Sequence, residues 1–313
     1  MKIRIAFLSL LALALISFLA ACGKKNVGTT EYIVDAELKE DFTVAAHMTV
    51  DYFNDTETEI SELKFNLYPK AFREGAKRPP CLPENEAKSY PHGKNYGDLV
   101  INSCGDCLWE IAGEDENILV LSLKKGVFPD ERARVEIDFT LAIAECALRL
   151  GHVDGFINLG NWFPILCARN EGGFIECAYS AVGDPFVSEV ADYTVNFTVP
   201  GEYTVAAGGE CVSTAIAGGK AEYRFKLDGA RDFALSLNKN YNVIQKTAGE
   251  TSVCVYFADC PFAEEIAAVA VEATKTFSTL FGEYPYPSLS VAVTRFLHGG
   301  MEYPSLVFVS DAL

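Results

Sequence analysis

The segment that decides the fold lies near the end of the sequence and reads His298-Gly299-Gly300-Met301-Glu302-Tyr303-Pro304-Ser305. Apolar runs at 289–296 and 306–310 flank it and are typical of strands. Successive glycines permit positive φ or the close approach of another backbone, and Pro304 restricts the residue before it to extended geometry. We therefore predict that Glu302 lies at a strand edge, where an acid beside an accessible backbone suits recognition of a peptide's amino end. The alternative is a plain Gly-Gly turn.

Two upstream segments, residues 277–287 (FSTLFGEYPYP) and 160–164 (GNWFP), belong to the same pattern. Together the three segments resemble the membrane alanyl aminopeptidase family, the gluzincin zinc peptidases of the aminopeptidase N and leukotriene hydrolase type. In that family a Gly-x-Met-Glu-Asn strand faces the metal across the substrate cleft. The resemblance implies substrate-binding roles for Gly299, Gly300, Met301, Glu302 and Tyr303, although Tyr303 stands where the family has Asn.

The resemblance also implies a second contact to the substrate amine, from a Gln or Glu of the first domain. The sequence assigns no residue to that role. The Asn161–Pro164 segment has two interpretations, a buried Trp-Phe pair beneath a loop or one wall of the cleft, and a single aromatic wall could serve both purposes.

Composition limits the classes of partner. The chain has 313 residues, of which 50% are hydrophobic and 22% charged, which is enough for two packed domains. Its formal net charge is −17. A nucleic acid is therefore excluded as a partner, because phosphate binding needs a basic face.

The amino terminus has the pattern of a bacterial lipoprotein signal. Lys2 and Arg4 precede an apolar run over 5–18, and Leu19-Ala20-Ala21-Cys22 follows. We expect residues 1–21 to be removed, Cys22 to carry the lipid, and residues 22–30 to form a tether. The protein would then be exported and anchored on the outer face of the bacterial cell membrane. The alternative is an uncleaved signal anchor with an incidental cysteine.

The remaining sequence is predicted to be mainly β. From residue 31 to 257, period-two alternation is interrupted by turn signals about every ten residues, which indicates a β sandwich or saddle domain. The period then changes to three and four residues after Pro261, which predicts an amphipathic helix ending at Gly282. By resemblance, residues 258–313 begin a thermolysin-like α+β catalytic domain.

Zinc is implied by the resemblance, but its ligands are not evident in the sequence. The family holds zinc with a His-Glu-x-x-His helix and a later Glu. The histidines, at 47, 92, 152 and 298, include no pair four residues apart. We therefore expect no catalytic residue and no metal ligand in this chain, and expect the zinc ligands downstream of Leu313.

Nine cysteines follow Cys22, and we predict mostly free thiols because a chain of this length needs no disulfide to hold a core. Cys104-Gly-Asp-Cys107 could be a local disulfide, two loop thiols, half of a zinc ribbon or a redox pair, and no second Cys-x-x-Cys follows.

Three functional hypotheses follow. The first is the amino-terminal portion of a lipid-anchored zinc aminopeptidase that hydrolyses amino-terminal residues from peptides, inactive as this fragment alone. The second is a non-catalytic surface lipoprotein that uses the same scaffold to bind peptides or proteins. The third, a solute-binding lipoprotein of a transporter, needs two doubly wound lobes and conflicts with the long series of predicted strands.

Overall fold

The structure is a computed structural model, and it describes residues 28–184 and 186–312. The predicted signal peptide, the lipidation site Cys22 and most of the predicted tether lie outside the described residues. Strand structure begins at Thr30, and the described chain is mainly β, as the alternating sequence predicts.

The strands of the first half, in chain order, are β1 (Thr30–Leu38), β2 (Thr43–Phe53), β3 (Ile60–Asn66), β4 (Asp98–Ser103), β5 (Leu108–Ala112), β6 (Ile118–Val127), β7 (Arg132–Ala142), β8 (Leu150–Val153), β9 (Phe156–Leu159), β10 (Ile165–Leu166), β11 (Arg169–Asn170) and β12 (Gly173–Phe174). Those of the second half are β13 (Ala191–Pro200), β14 (Thr204–Ala207), β15 (Glu210–Ala217), β16 (Lys220–Ala230), β17 (Leu235–Asn238), β18 (Asn242–Ala248), β19 (Thr251–Phe257), β20 (Ser288–Thr294), β21 (Gly300–Tyr303) and β22 (Leu306–Ser310). The α-helices among the described residues are α1 (Glu86–Ser89) and α2 (Ala263–Phe281).

Three sheets of four or more strands form the first part of the molecule, which we call the β domain. The large sheet has the order β15-β16-β13-β1-β2-β7-β4, and the smaller sheets have the orders β10-β3-β6-β5 and β14-β17-β9-β8. Strand β13 shows why these residues form a half-buried strand, since its side chains alternate strictly between buried and partly exposed positions. The alternation places one face of the large sheet on the core.

The core of the β domain is centred on the tryptophan of the GNWFP segment. Trp162 and Phe163 have no exposed surface, and their rings meet edge to face at 5.2 Å. The indole also packs against Phe197, and its Nε1–H donates to the carbonyl of Phe233 at 3.2 Å. Of the two interpretations of this segment, the buried aromatic pair describes Trp162 and Phe163, and neither ring lines the cleft described below.

The C-terminal sheet has the order β18-β19-β20-β22-β21. Strands β19 and β20 are parallel, and α2 provides the crossover between them. The observed helix, Ala263–Phe281, matches the predicted start after Pro261 and end at Gly282. Within the described residues, no helix has the length and apolar character needed to span a membrane.

A buried asparagine joins the C-terminal sheet to the β domain. Oδ1 of Asn158, on β9, accepts hydrogen bonds from Ser236 Oγ at 2.9 Å and from Thr294 Oγ1 at 2.8 Å. Its Nδ2 donates to the carbonyl of Arg295 at 3.2 Å. Because a buried amide is costly unless it is satisfied, these bonds fix β20 on the β domain.

The first two strands of the C-terminal sheet, β18 and β19, precede the predicted division after residue 257. Between β3 and β4 lie α1 and two 3₁₀ turns, Tyr68–Phe72 and Pro83–Asn85. Each of the nine cysteines among the described residues is a free thiol, including Cys104 and Cys107.

Candidate functional site

The GGMEY segment forms β21, an edge strand of the C-terminal sheet. It pairs with β22 alone, in the antiparallel register Met301↔Phe308, Glu302↔Val307 and Tyr303↔Leu306. An edge strand presents a row of backbone N–H and C=O groups that another chain can pair with. Glu302 therefore lies at a strand edge, with an accessible backbone beside it.

Period-two alternation divides the side chains of β21 between two faces. Tyr303 packs with Leu306 and Phe308 against small residues of the β domain, and Met301 lies beside this cluster. Glu302 stands opposite Val307 on the other face, towards α2, and is exposed. A shift of register by one residue would exchange the two faces and bury the carboxylate.

The turn that ends β21 is held by hydrogen bonds to β20. Ser305 has a φ of +62°, its Oγ donates to the carbonyl of Ser288 at 2.6 Å, and its own carbonyl accepts from the N–H of Ser290 at 2.9 Å. The carbonyl of Pro304 faces Gly208 of the β domain so closely that a Cβ there would lie 2.8 Å from the oxygen. These contacts fix the position of the strand that carries Glu302.

The side chain of Tyr303 is inserted into the β domain. Tyr303 is 5% exposed, and its hydroxyl has no hydrogen-bond partner within the described part of the chain. Burial raises the pKa of this phenol well above its usual range. A Cβ at Gly160 would lie 2.6 Å from Cζ of Tyr303 and closer still to the hydroxyl oxygen. The missing side chain of Gly160 therefore creates the space that the phenol occupies.

A cleft of about 980 Å³ separates the β domain from α2, and β21 lines it. On the side of the β domain its walls include Asn161, Asp184 and Asp232, and α2 contributes an apolar face with Ile266 and Phe277. The cleft is thus largely apolar with a few polar groups at one side, which is the usual composition of a binding site.

The charges along the cleft are mainly negative. Its lining residues include four carboxylates, of Asp184, Asp232, Glu265 and Glu302, and one guanidinium, of Arg231. No hydrogen bond or salt bridge to another described side chain involves the carboxylate of Glu302. Such a cleft favours ligands that carry a positive group, because like charges in a partly desolvated space repel.

Asp232 is the most deeply buried of these acids. Its Oδ2 accepts from Nδ2 of Asn161 at 2.6 Å, and its Oδ1 accepts from the N–H of Phe233 at 2.7 Å. Burial raises the pKa of the carboxyl to about 7, in spite of these two donors, which act in the opposite direction. Oδ1 of Asn161 is also buried, and it has no partner among the described residues.

Replacing Asp232 with asparagine is expected to stabilise the protein, and more so as the pH rises from about 4 to about 7. The folded pKa lies above that of the unfolded carboxyl, so the unfolded chain releases a proton that the folded chain keeps. The stability of the wild type therefore falls with rising pH in this window, by an amount on the order of 1.4 kcal/mol per pH unit. Urea unfolding of both proteins at pH 5 and pH 8 measures the difference, and a pH-independent difference would contradict the assignment.

Arg149 borders this acidic group and is itself largely buried. Its Nη1 donates to Oδ1 of Asp184 at 3.0 Å, and its guanidinium lies 4.6 Å from the centre of the Phe186 ring. A planar cation between a carboxylate and an aromatic face is held by both contacts. The guanidinium thus contacts both Asp184 and Phe186, which line the cleft.

The described residues do not form a zinc site. No three side chains of His, Cys, Asp or Glu within 28–184 and 186–312 lie close enough together to hold a metal ion. The four histidines have other neighbours: Asp138 for His47, Glu145 and Asp154 for His92, the Phe42 ring for His152, and the Phe296 ring for His298.

The structure brings together more of the site than the sequence indicates. Met301, Glu302 and Tyr303 line the cleft, whereas Gly299 and Gly300 precede it on the exposed edge. Asn161 belongs to the GNWFP segment already singled out in the sequence. The sequence did not indicate a site role for Asp232, because a lone acid in a polar turn is typical of a solvated loop.

Comparison with known proteins was made by family models, by curated sequences and by solved structures. No family model matches the chain, and no curated protein matches it. The solved structures that match include a mutant of an M1 zinc metallopeptidase from Deinococcus radiodurans, with a TM-score of 0.57 and 13% identity. This match covers 90% of the present chain and 59% of the other.

Two further matches are mutants of M1 zinc metallopeptidases with bound ligands. One, also from Deinococcus radiodurans, is bound to a Tyr-Ser-Ala substrate, with a TM-score of 0.55 and 13% identity; the match covers 90% of the present chain and 60% of the other. The other is a two-domain M1 zinc metallopeptidase bound to L-tryptophan, with a TM-score of 0.53 and 15% identity; the match covers 89% of the present chain and 59% of the other. The chain thus has the fold of M1 zinc metallopeptidases and spans about three fifths of their length.

Proposed function

We propose that this chain is the amino-terminal portion of a lipid-anchored, zinc-dependent aminopeptidase. One observation carries the proposal: Glu302, in a Gly-Gly-Met-Glu sequence, presents an exposed carboxylate from an edge strand into an acidic cleft. The likeness to M1 zinc metallopeptidases supports the peptidase scaffold. The proposed anchor is a lipid on Cys22, by which the protein would be held on the outer face of the cell membrane.

The geometry of β21 supports its proposed roles. An extended peptide that entered the cleft could pair with the free edge of β21, because main-chain hydrogen bonds to a sheet edge bind peptides without regard to sequence. Gly299 and Gly300 have no side chains to obstruct that approach. The carboxylate of Glu302 would accept hydrogen bonds from the substrate's ammonium group, and charge-assisted bonds of this kind are about twice as strong as neutral ones.

Zinc, when bound in such an enzyme, polarises the scissile carbonyl and activates a water molecule. We propose that its ligands lie outside these 313 residues, since the described residues form no metal site and the chain covers only part of the length of its structural relatives. The contribution of this chain would then be to bind and orient the substrate.

The decisive experiment extends the reading frame beyond Leu313 and assays the resulting protein. We expect a His-Glu-x-x-His motif downstream, one zinc per polypeptide by elemental analysis, and release of amino-terminal residues that a zinc chelator abolishes and added zinc restores. Partition of the protein into a phase-separating detergent checks the anchor. A reading frame without that motif, or a zinc-loaded protein that leaves free-amine peptides intact, would refute the proposed activity.

One observation favours a second function, a non-catalytic surface lipoprotein that binds peptides. The cleft and its free glutamate are formed by described residues that hold no metal site. Calorimetric titration distinguishes the two functions. A chain complete at Leu313 that binds free-amine peptides, but not their acetylated forms, without hydrolysing them would support the second.

A further inference from the structure

The β15 strand is an edge strand that the proposed peptidase function does not use. All eight of its residues are exposed, so both faces of the strand are accessible to solvent. It lies at one end of the large sheet, pairs with β16 through the turn Gly218-Gly219, and leaves its other edge without a partner in the described part of the chain.

The hairpin register shows which backbone groups face outwards. The two-residue turn closes at the pair Ala217↔Lys220, so alternate residues from Ala217 backwards bond to β16. Thr214 and Ile216 lie between those residues, and their N–H and C=O groups therefore point away from the sheet. These groups are available to another strand.

The usual protections of a sheet edge are absent from most of this strand. Residues 211–217 (CVSTAIA) include no charged residue and no proline, which are the residues that commonly prevent edges from pairing. Ile216 is 74% exposed. A bulge between Cys211 and Ser213 interrupts only the first part of the strand, so residues 213–217 form a regular free edge.

We propose that β15 pairs with β15 of a second copy of this chain, antiparallel, about a two-fold axis through Ala215. In this register Thr214 of each copy faces Ile216 of the other, and their outward backbone groups supply four hydrogen bonds. Cross-strand pairs of β-branched residues stabilise sheets, and two such pairs form. Ala215 faces its own counterpart, where the small side chains permit close approach, and both bulges lie outside the ladder.

The charges of the strand do not oppose this register. Glu210, the one charged residue of β15, precedes the bulge and lies outside the ladder. The pairing therefore brings no like charges of the two strands face to face. A self-complementary sequence favours a second copy over an unrelated strand, and the two-fold closes the assembly at a dimer. The small area of one strand pair implies weak, reversible association.

Site-directed crosslinking of the purified protein tests the register. The variants carry Cys211→Ser, which removes the one fully exposed cysteine among the described residues, together with either Ala215→Cys or the matched control Ala217→Cys. Cysteines at 215 face each other in a non-hydrogen-bonded pair at about 4.5 Å between Cα atoms, within disulfide range. Those at 217 face Ser213 of the other copy instead. Oxidised glutathione is therefore expected to crosslink the first variant to twice its mass and to leave the second monomeric.

A charge variant gives an independent measurement on the same protein. Ala215→Lys sets two lysines opposite each other and is expected to weaken dimerisation by about tenfold or more in sedimentation velocity, whereas Ala217→Lys should have little effect. All four variants lie on an exposed strand and should fold. Equal crosslinking at 215 and 217, no crosslinking at 215, or a product whose mass shows a different protein would overturn the proposal. Because no outcome depends on peptidase activity, failure here is distinguishable from failure of the proposed function.

Discussion

Glu302→Ala is expected to lower kcat/KM for free-amine peptides by about 10- to 100-fold in the proposed longer enzyme, because a hydrogen bond to a charged group contributes roughly 1.5–3 kcal/mol. The carboxylate is exposed and forms no hydrogen bond or salt bridge with another described residue, so the loss should come from substrate binding. Amino-acetylated peptides lack the ammonium group and should be turned over at a nearly unchanged rate.

Glu265→Ala is the matched control. Glu265 lines the same cleft, but from α2 and away from the edge of β21. Its removal changes the net charge of the cleft by the same amount. An effect that came only from the electrostatic field of the cleft would therefore appear in both variants. Steady-state assays with paired free and acetylated substrates measure the difference. If Glu302→Ala affected both substrates equally, Glu302 would have no role as amine anchor.

Much of the fold could be predicted from local patterns in the sequence. Strict alternation predicted strands such as β13, and Pro261 and Gly282 gave both ends of α2 because they act on the backbone directly. The position along the chain at which the β domain ends and the C-terminal sheet begins was harder to predict. Strands β18 and β19 alternate like the strands of the β domain, and only their pairing with β20 assigns them to the C-terminal sheet.

The site was predictable where its residues are consecutive. The GGMEY segment and its acid could be identified from sequence, whereas Asp232 meets Asn161 across 71 residues of chain. That contact depends on how β-domain loops pack, and no local pattern records it. The position of Tyr303 also depends on a tertiary contact, since the space that it fills is left by Gly160, which directly follows β9 of another sheet.

This last contact carries the second large prediction. Gly160→Ala is expected to destabilise the protein by about 1–3 kcal/mol, the usual cost of inserting a methyl group into a packed site. The φ of Gly160 is not in the left-handed region, so alanine should be tolerated by the backbone itself. The cost should therefore come from the collision with the phenol of Tyr303 and from crowding of the Arg149 carbonyl, which a Cβ would approach to 3.0 Å.

Tyr303→Phe separates these causes. It removes the hydroxyl that lacks a partner, so alone it should be neutral or stabilising by about 1 kcal/mol. In the Phe background Gly160→Ala should cost less than in the wild type, with a coupling energy of about 1 kcal/mol or more. Gly172→Ala, in an exposed turn where the nearest atom to a Cβ is a flexible side-chain oxygen at 3.2 Å, is the control and should change stability little.

Urea unfolding of the single and double variants measures the coupling, and additive effects would show that the phenol does not occupy the space left by Gly160. The same contact bears on the site, because Tyr303 follows Glu302 directly on β21. A phenol displaced from the β domain moves the carboxylate that precedes it. In the proposed longer enzyme, Gly160→Ala should therefore lower kcat/KM more for free-amine than for acetylated peptides, and Tyr303→Phe should restore part of the loss. Such a rescue would show that the β domain positions the strand to which the substrate amine is proposed to bind.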